Sequence, residues 1–332
     1  SQKSSIFYDN TFIFKENPFF YKRENSFSLY FEHFSYDWKV IIGNGEPSVY
    51  RENYTQYLFY SSFYKKFVFT EFTYSKEGDF KNEIEIAEVR DGIIVTDTIK
   101  LISTIFTAKT SFLLPFKKYQ LFLNGKIFYY SHPLLDVYKK YYSKDSIVYK
   151  FKKYAFCTDI GIGINLNENI YLFSLIENIL KTKLDYFIPS IFGVSFIPVS
   201  NLPFTTRLGI NYNQTNFKIL FLISHFLFNK FGGSEVFVDE YIRLKPELSF
   251  IINYKNNKNY FGFSLSNKFY LCDLEENMKN IIEIYLGYIR EIKKIKLGGG
   301  IKFDTRFIEI EKNISNGNAW ISPLNIFLTF YF

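Results

Sequence analysis

The sequence predicts an all-β protein, a closed antiparallel transmembrane β-barrel of about fourteen strands, within a range of about twelve to sixteen. Three observations predict it. The 332 residues include 41 Phe, 28 Tyr and 2 Trp, and 47% are apolar, yet the mean hydropathy is only −0.07. Apolar and polar residues are therefore interleaved rather than blocked. The interleaving has period two over many segments of ten to thirteen residues. The chain also ends on five apolar residues spaced two apart, Leu324, Ile326, Leu328, Phe330 and Phe332.

The same facts exclude other classes. Disorder needs low hydrophobicity. A membrane helix needs roughly 20 consecutive apolar residues, and the best run, 219–228, is half that and carries Ser224 and His225. With 17 Gly and 9 Pro the chain is not low-complexity. The net charge of +7 and pI near 9.0 would suit phosphate-bearing partners, but in a barrel these charges line the lumen and loops, and no nucleic acid is expected. The start, SQKSSIF, lacks an initiator Met, which fits a removed signal peptide and a bacterial outer-membrane location.

No Pro/Ser/Gly-rich linker divides the chain, so residues 1–25 read as an N-terminal segment, periplasmic or inside the lumen, and 26–332 as the barrel. Side chains alternate across a strand, and this alternation places candidate strands at 26–34, 36–43, 54–63, 66–75, 99–113, 118–130, 153–166 and 169–177. They continue at 188–197, 203–212, 217–228, 244–254, 259–271, 280–290, 294–304 and 322–332. The first two can join as one bent strand, and 99–113 is weakly patterned. Soluble strands average roughly five or six residues, whereas a tilted membrane strand needs about nine to eleven. Tyr212, Tyr254 and Tyr288, near segment ends, suit interfacial girdles.

Near the C-terminus short connections (213–216, 255–258, 291–293) alternate with longer ones (229–243, 272–279, 305–321). Upstream of residue 213 the alternation shifts phase, which points to one misassigned strand. The charged stretch 76–92 reads as a solvated loop or hairpin outside the membrane.

Polar-face parity selects a set of lumen-facing candidates: Arg207, Glu247, Tyr260, Lys268, Tyr270, Glu283, Tyr285, Lys296, Lys302 and Asp304. The charged members would form a constriction, a binding surface or mutual pairs. The tyrosines could line a hydrophobic ligand path. Residues 324, 326, 328, 330 and 332 form an assembly signal of the kind read by the barrel-assembly machinery, and the last strand should pair with the first.

Enzymatic chemistry is not expected. Ser224 and His225 are adjacent on a strand and point to opposite faces, so they cannot pair directly. His33 and His132 lie in a strand and a loop. Gly298-Gly299-Gly300 lacks the following Lys-Ser/Thr of a phosphate loop. Cys157 and Cys272 have no metal-ligand spacing, although their shared parity makes a bridge across the lumen conceivable. No cofactor or metal is expected.

A resemblance attaches to the middle of the chain. The run Asp159-Ile160-Gly161-Ile162-Gly163, the turn 165–169, Ser174-Leu175-Ile176-Glu177-Asn178-Ile179, then Pro189 and Phe192-Gly193-Val194-Ser195 resemble the PorV/PorQ-type proteins, which are related to the FadL fatty-acid transporters. Asn17-Pro18 is similar to their Asn-Pro-Ala, with Phe19 in place of Ala, and Ile188 replaces the usual Leu before proline. The resemblance implies a monomeric barrel that passes hydrophobic compounds across the outer membrane. Its alternative is a barrel partner or scaffold in type IX-like secretion or a surface assembly. The implied partners are outer-membrane lipids, lipopolysaccharide, the barrel-assembly machinery and an envelope protein.

Overall fold

The computed structural model describes residues 25–40, 48–81, 83–90, 93–133, 153–189, 196–200, 204–224, 229–232, 241–244, 246–271, 278–304 and 324–331. Its strands begin with β1 (Ser26–Val40), β2 (Ser48–Lys65), β3 (Val68–Gly78), β4 (Ile84–Arg90), β5 (Ile93–Ile99), β6 (Ile102–Phe116) and β7 (Tyr119–Ser131). Next come β8 (Tyr154–Asn165), β9 (Ile170–Glu177), β10 (Asp185–Pro189), β11 (Phe196–Ser200), β12 (Thr205–Asn213) and β13 (Phe217–Ser224). The last are β14 (Asn229–Gly232), β15 (Tyr241–Leu244), β16 (Glu247–Asn256), β17 (Asn259–Leu271), β18 (Met278–Ile292), β19 (Ile295–Asp304) and β20 (Leu324–Tyr331).

Fourteen of these pair antiparallel in the ring β1-β2-β3-β6-β7-β8-β9-β12-β13-β16-β17-β18-β19-β20, and β1 pairs with β20 to close the barrel. Phe330 lies opposite Phe27, Leu328 opposite Leu29 and Ile326 opposite Phe31. The terminal apolar set thus takes the register of the strand face that bears the exposed Phe27. Phe332 lies outside the described residues.

The buried and exposed faces are inverted relative to a soluble sandwich, whose greasy faces turn inward. Here Ser26, Ser28, Ser62, Ser264, Ser266 and Asn211 are buried, while Phe59, Phe63, Phe72, Ile162, Leu208, Phe261 and Leu286 are exposed. Alternation along a strand places one set inside the barrel and the other on its outer wall. On that wall Tyr254, Phe261 and Tyr288 form a run of contacting rings across β16, β17 and β18. With the wall closed by hydrogen bonds all round, detergent-solubilised protein should migrate faster on a gel before boiling than after it. A single unshifted band would contradict closure.

Two connection types alternate round the ring. Tight turns at 66–67, 117–118, 166–169, 214–216, 257–258 and 293–294 lie at one end. The longer connections lie at the other, and three of them carry the separate two-stranded hairpins β4–β5, β10–β11 and β14–β15. No helix among the described residues is long and apolar enough to cross a membrane.

The alternative that joins the first two segments holds: 26–34 and 36–40 belong to one strand, β1, and 41–43 lie outside the described residues. Three strand expectations need correction. Residues 66–67 are a turn rather than the start of a strand. The segment 188–197 is not a wall strand; parts of it lie in β10 and β11, which pair only with each other. Pro189 and Pro198 explain this, because proline cannot donate to a ladder on both sides of a central strand. Removing that segment also restores the alternation of tight and long connections that looked out of phase. Lastly, residue 244 closes β15, so the wall strand there begins at Glu247.

Candidate lumenal site

One part of the inner wall is apolar. Toward the tight-turn end, five strands contribute an apolar cluster: Phe69 from β3, Phe122 from β7, Tyr171, Phe173 and Leu175 from β9, Leu220 and Leu222 from β13, and Ile251 from β16. Tyr64, Leu113 and Tyr285 pack against it. None of the eight is more than 3% exposed. Sequence parity alone hides this cluster, because an inward Phe or Leu in these strands looks like an exception to alternation.

Glycines on neighbouring strands let the rings lie flat against the wall. A Cβ at Gly209 would stand 2.2 Å from the Phe173 ring, and one at Gly300 would stand 2.5 Å from the Tyr285 ring. At Gly163 a Cβ would fall on the Tyr171 hydroxyl. That hydroxyl donates to Gln120 Oε1 at 3.0 Å, so the ring bridges β9 to β7 across the glycine-bearing β8. Gly163 of the Gly161-Ile162-Gly163 run thus has a packing role that a lone sequence leaves unexplained.

A belt of paired charges extends round the same inner wall. Tyr60 donates to Glu71 Oε1 at 2.7 Å, and Lys109 Nζ lies 3.1 Å from Glu71 Oε2. Lys109 also sits 5.8 Å from the Phe122 ring centroid, which ties the belt to the apolar cluster. Lys126 Nζ lies 3.0 Å from Asp159 Oδ1, and Arg207 Nε lies 2.9 Å from Glu177 Oε2. In such surroundings unpaired charges would be costly, and pairing with added hydrogen bonds offsets desolvation.

Asp159 is the centre of this belt. Its Oδ2 also accepts from Asn124 Nδ2 at 2.6 Å, and its Oδ1 accepts from the backbone N–H of Asn178 at 2.8 Å. That last bond belongs to a wall irregularity. Ile160 pairs with Ile176, but the next bridge joins Cys157 to Lys181. Between these pairs β8 supplies Thr158 and Asp159 while the opposing chain supplies residues 177–180, so two extra residues form a bulge. Asn178 takes a left-handed φ of 59°, a conformation that Asn tolerates better than most residues. Every N–H of the bulge that leaves the ladder finds a partner: Ile179 donates to Thr158 O at 2.9 Å and Leu180 to Thr158 Oγ1 at 3.2 Å. The bulge thus lies next to the apolar cluster on the same strand, β9.

The candidates chosen from sequence parity distribute as follows. Arg207 faces the lumen in its pair with Glu177. Glu283 and Lys296 are buried at 3% exposure, and Tyr285 packs against the apolar cluster. Tyr260 donates to Glu291 Oε2 at 2.5 Å, and its ring centroid lies 5.2 Å from both Lys255 Nζ and Lys296 Nζ. Glu247 starts β16 opposite Ser224. Lys302 is in register with Tyr285, and Asp304 with Glu283. Lys268 and Tyr270 are in register with Ile281 and Lys279; side chains at 268, 270, 302 and 304 lie outside the description. Sequence reasoning missed Glu71, Lys109, Asn124, Lys126 and Asp159. Inward parity in β3, β6, β7 and β8 was the signal that could have found them.

Cys157 is a free, fully buried thiol, which corrects the notion of a bridge to Cys272, a residue outside the described set. His225 is also outside it, His132 is buried, and His33 Nδ1 shares a 2.9 Å hydrogen bond with Thr55 Oγ1. No group of three or more potential metal ligands occurs among the described residues.

No family model and no curated protein sequence matches the chain. Solved structures do. The chain superposes on a deltaS2 mutant of the TodX monoaromatic hydrocarbon channel with a TM-score of 0.54 and 11% identity, covering 94% of this chain and 91% of that one. A structure of the toluene transporter TodX of P. putida gives a TM-score of 0.50 and 12% identity over 94% and 91% of the two chains. At these identities the likeness is one of fold. It supports the barrel expected from the sequence and shows nothing peculiar to the PorV/PorQ-type proteins. The chain therefore shares the barrel fold of these hydrocarbon channels.

Proposed function

We propose that the protein is an outer-membrane barrel of the FadL type that binds or passes hydrophobic small molecules, without enzymatic activity. The carrying observation is the inward apolar cluster from β3, β7, β9, β13 and β16 inside a wall whose other buried residues are mostly polar. An aqueous porin has no need of such a surface, whereas ligand sites are mostly apolar with a few placed polar groups. The greasy outer wall supports a bilayer location, because strands cross lipid only in closed barrels. Outer-membrane lipids, lipopolysaccharide and the barrel-assembly machinery are the partners this location entails.

In this reading the Asn178 bulge bends the wall beside the apolar cluster, where a hydrophobic compound would pass. The N-terminal segment expected at residues 1–25 lies, but for Asn25, outside the described residues. A second reading, a partner or scaffold for protein export or a surface assembly, is favoured by one observation. The three two-stranded hairpins all stand at the long-connection end and offer strand edges to another chain.

Toluene is the probe suggested by the structural neighbours' substrates. Calorimetric titration of the folded chain in detergent should show saturable binding, and Phe122→Ser should weaken it by about tenfold or more. Absence of toluene binding by wild-type barrel would leave the export-partner reading in its place.

A further inference from the structure

Apart from Lys255, whose Nζ sits over the inward Tyr260 ring, the tight-turn rim carries lysines that neither the lumen nor the transport reading uses. Four of its six turns hold two lysines within the turn or the two residues before it: Lys65 and Lys66, Lys117 and Lys118, Lys255 and Lys258, Lys293 and Lys294. All eight are exposed, and among the described residues none is ion-paired with a carboxylate. The turns 66–67 and 117–118 belong to adjacent hairpins, as do 257–258 and 293–294. The lysines therefore form two arcs. Between them on one side lie the turns 166–169 and 214–216, which contain no lysine and have only Lys218 within two residues, and on the other lie the paired ends of β1 and β20.

Two further observations separate this from ordinary turn solvation. Lys66, Lys117 and Lys293 take left-handed φ values of 56°, 52° and 56°. That conformation disfavours a lysine and suits Gly or Asn; Asn257 occupies the equivalent place in the fourth turn, at 54°. Three of the four turns thus keep a cation where the backbone prefers another residue. The outer wall directly beside the lysines is apolar and exposed at Phe67, Phe116, Tyr119, Tyr254, Ile292 and Ile295. Lys118 Nζ lies 5.3 Å from the Tyr119 ring centroid. Amines just beyond an aromatic, lipid-facing band stand at headgroup depth.

We propose that these two arcs bind the phosphate groups of anionic phospholipids in the leaflet at the tight-turn end. The inference rests on the bilayer location proposed above but not on transport. Each lysine near an anionic surface gains electrostatically, and the gain is screened by salt. A zwitterionic headgroup carries its own ammonium and offers the arcs less.

The test uses the full chain reconstituted into nanodiscs of phosphatidylcholine with and without phosphatidylglycerol, with retained lipid counted by native mass spectrometry. Wild-type protein should retain phosphatidylglycerol over phosphatidylcholine, and rising salt should abolish the preference. The variant Lys66→Asn/Lys117→Asn/Lys293→Asn should fold at least as well, because Asn suits the left-handed turns, yet lose the preference by about tenfold. A triple variant with wild-type selectivity, or a wild type with none, overturns the lipid assignment; the second result would turn attention to an acidic protein surface. Failure to insert into either nanodisc would instead overturn the bilayer location, so the two failures are distinguishable.

Discussion

Replacing Asp159 with alanine is expected to destabilise the barrel by about 3 kcal/mol or more, the cost of breaking a buried ion pair from one side. The carboxylate is 3% exposed and holds three elements together. Its loss strands the Lys126 ammonium, the Asn124 amide and the inward N–H of Asn178 at once. The midpoint of urea unfolding, followed by the gel mobility of the unboiled barrel, should fall accordingly. Asp159→Asn combined with Lys126→Gln removes both charges and keeps hydrogen-bonding groups, so it should recover part of the loss. An alanine variant as stable as wild type would mean that the bulge is held by other contacts.

The second large effect is expected at Gly300. A Cβ there would lie 2.4 Å from the carbonyl oxygen of Leu286 as well as against the Tyr285 ring. The backbone oxygen belongs to the β18–β19 ladder, so it cannot yield as a side-chain tip would. Gly300→Ala should therefore cost about 1–3 kcal/mol through overpacking. Gly125→Ala is the matched control, because its Cβ would meet only the Phe156 ring, at 3.7 Å. That variant should be neutral or slightly stabilising, since alanine restricts the unfolded chain more than glycine. Equal losses in the two variants would refute the assignment of Gly300 as a site of close approach.

What the chain determines by itself is periodicity, and periodicity is a local property. The alternation at 259–266, 204–212 and 294–304 reports which residues share a face, because a strand turns its side chains by half a circle per residue. The terminal alternation likewise fixed which face of β20 meets the outer register of β1. Turn positions were legible to within two residues where lysine and asparagine interrupt the pattern: expected at 255–258 and 291–293, the turns lie at 257–258 and 293–294.

Membership of the wall was not legible. The segment 188–197 has strand-like composition, and only the pairing of its two ends with each other, Ile188 with Ile197 and Pro189 with Phe196, rather than with β9 or β12 removes it from the barrel. The apolar cluster was equally hidden, because Phe122, Phe173 and Leu222 occupy the face that local alternation reserves for polar residues. They become favourable only when distant strands bring them into contact, which removes apolar surface from water without placing it against lipid. The bulge depends on the same long-range closure. Asn178 can hold a left-handed conformation because Asp159, nineteen positions earlier, turns its carboxylate to that N–H. Sequence thus determines the faces of each strand, whereas the ring of pairing decides which inward side chains meet and what they can hold.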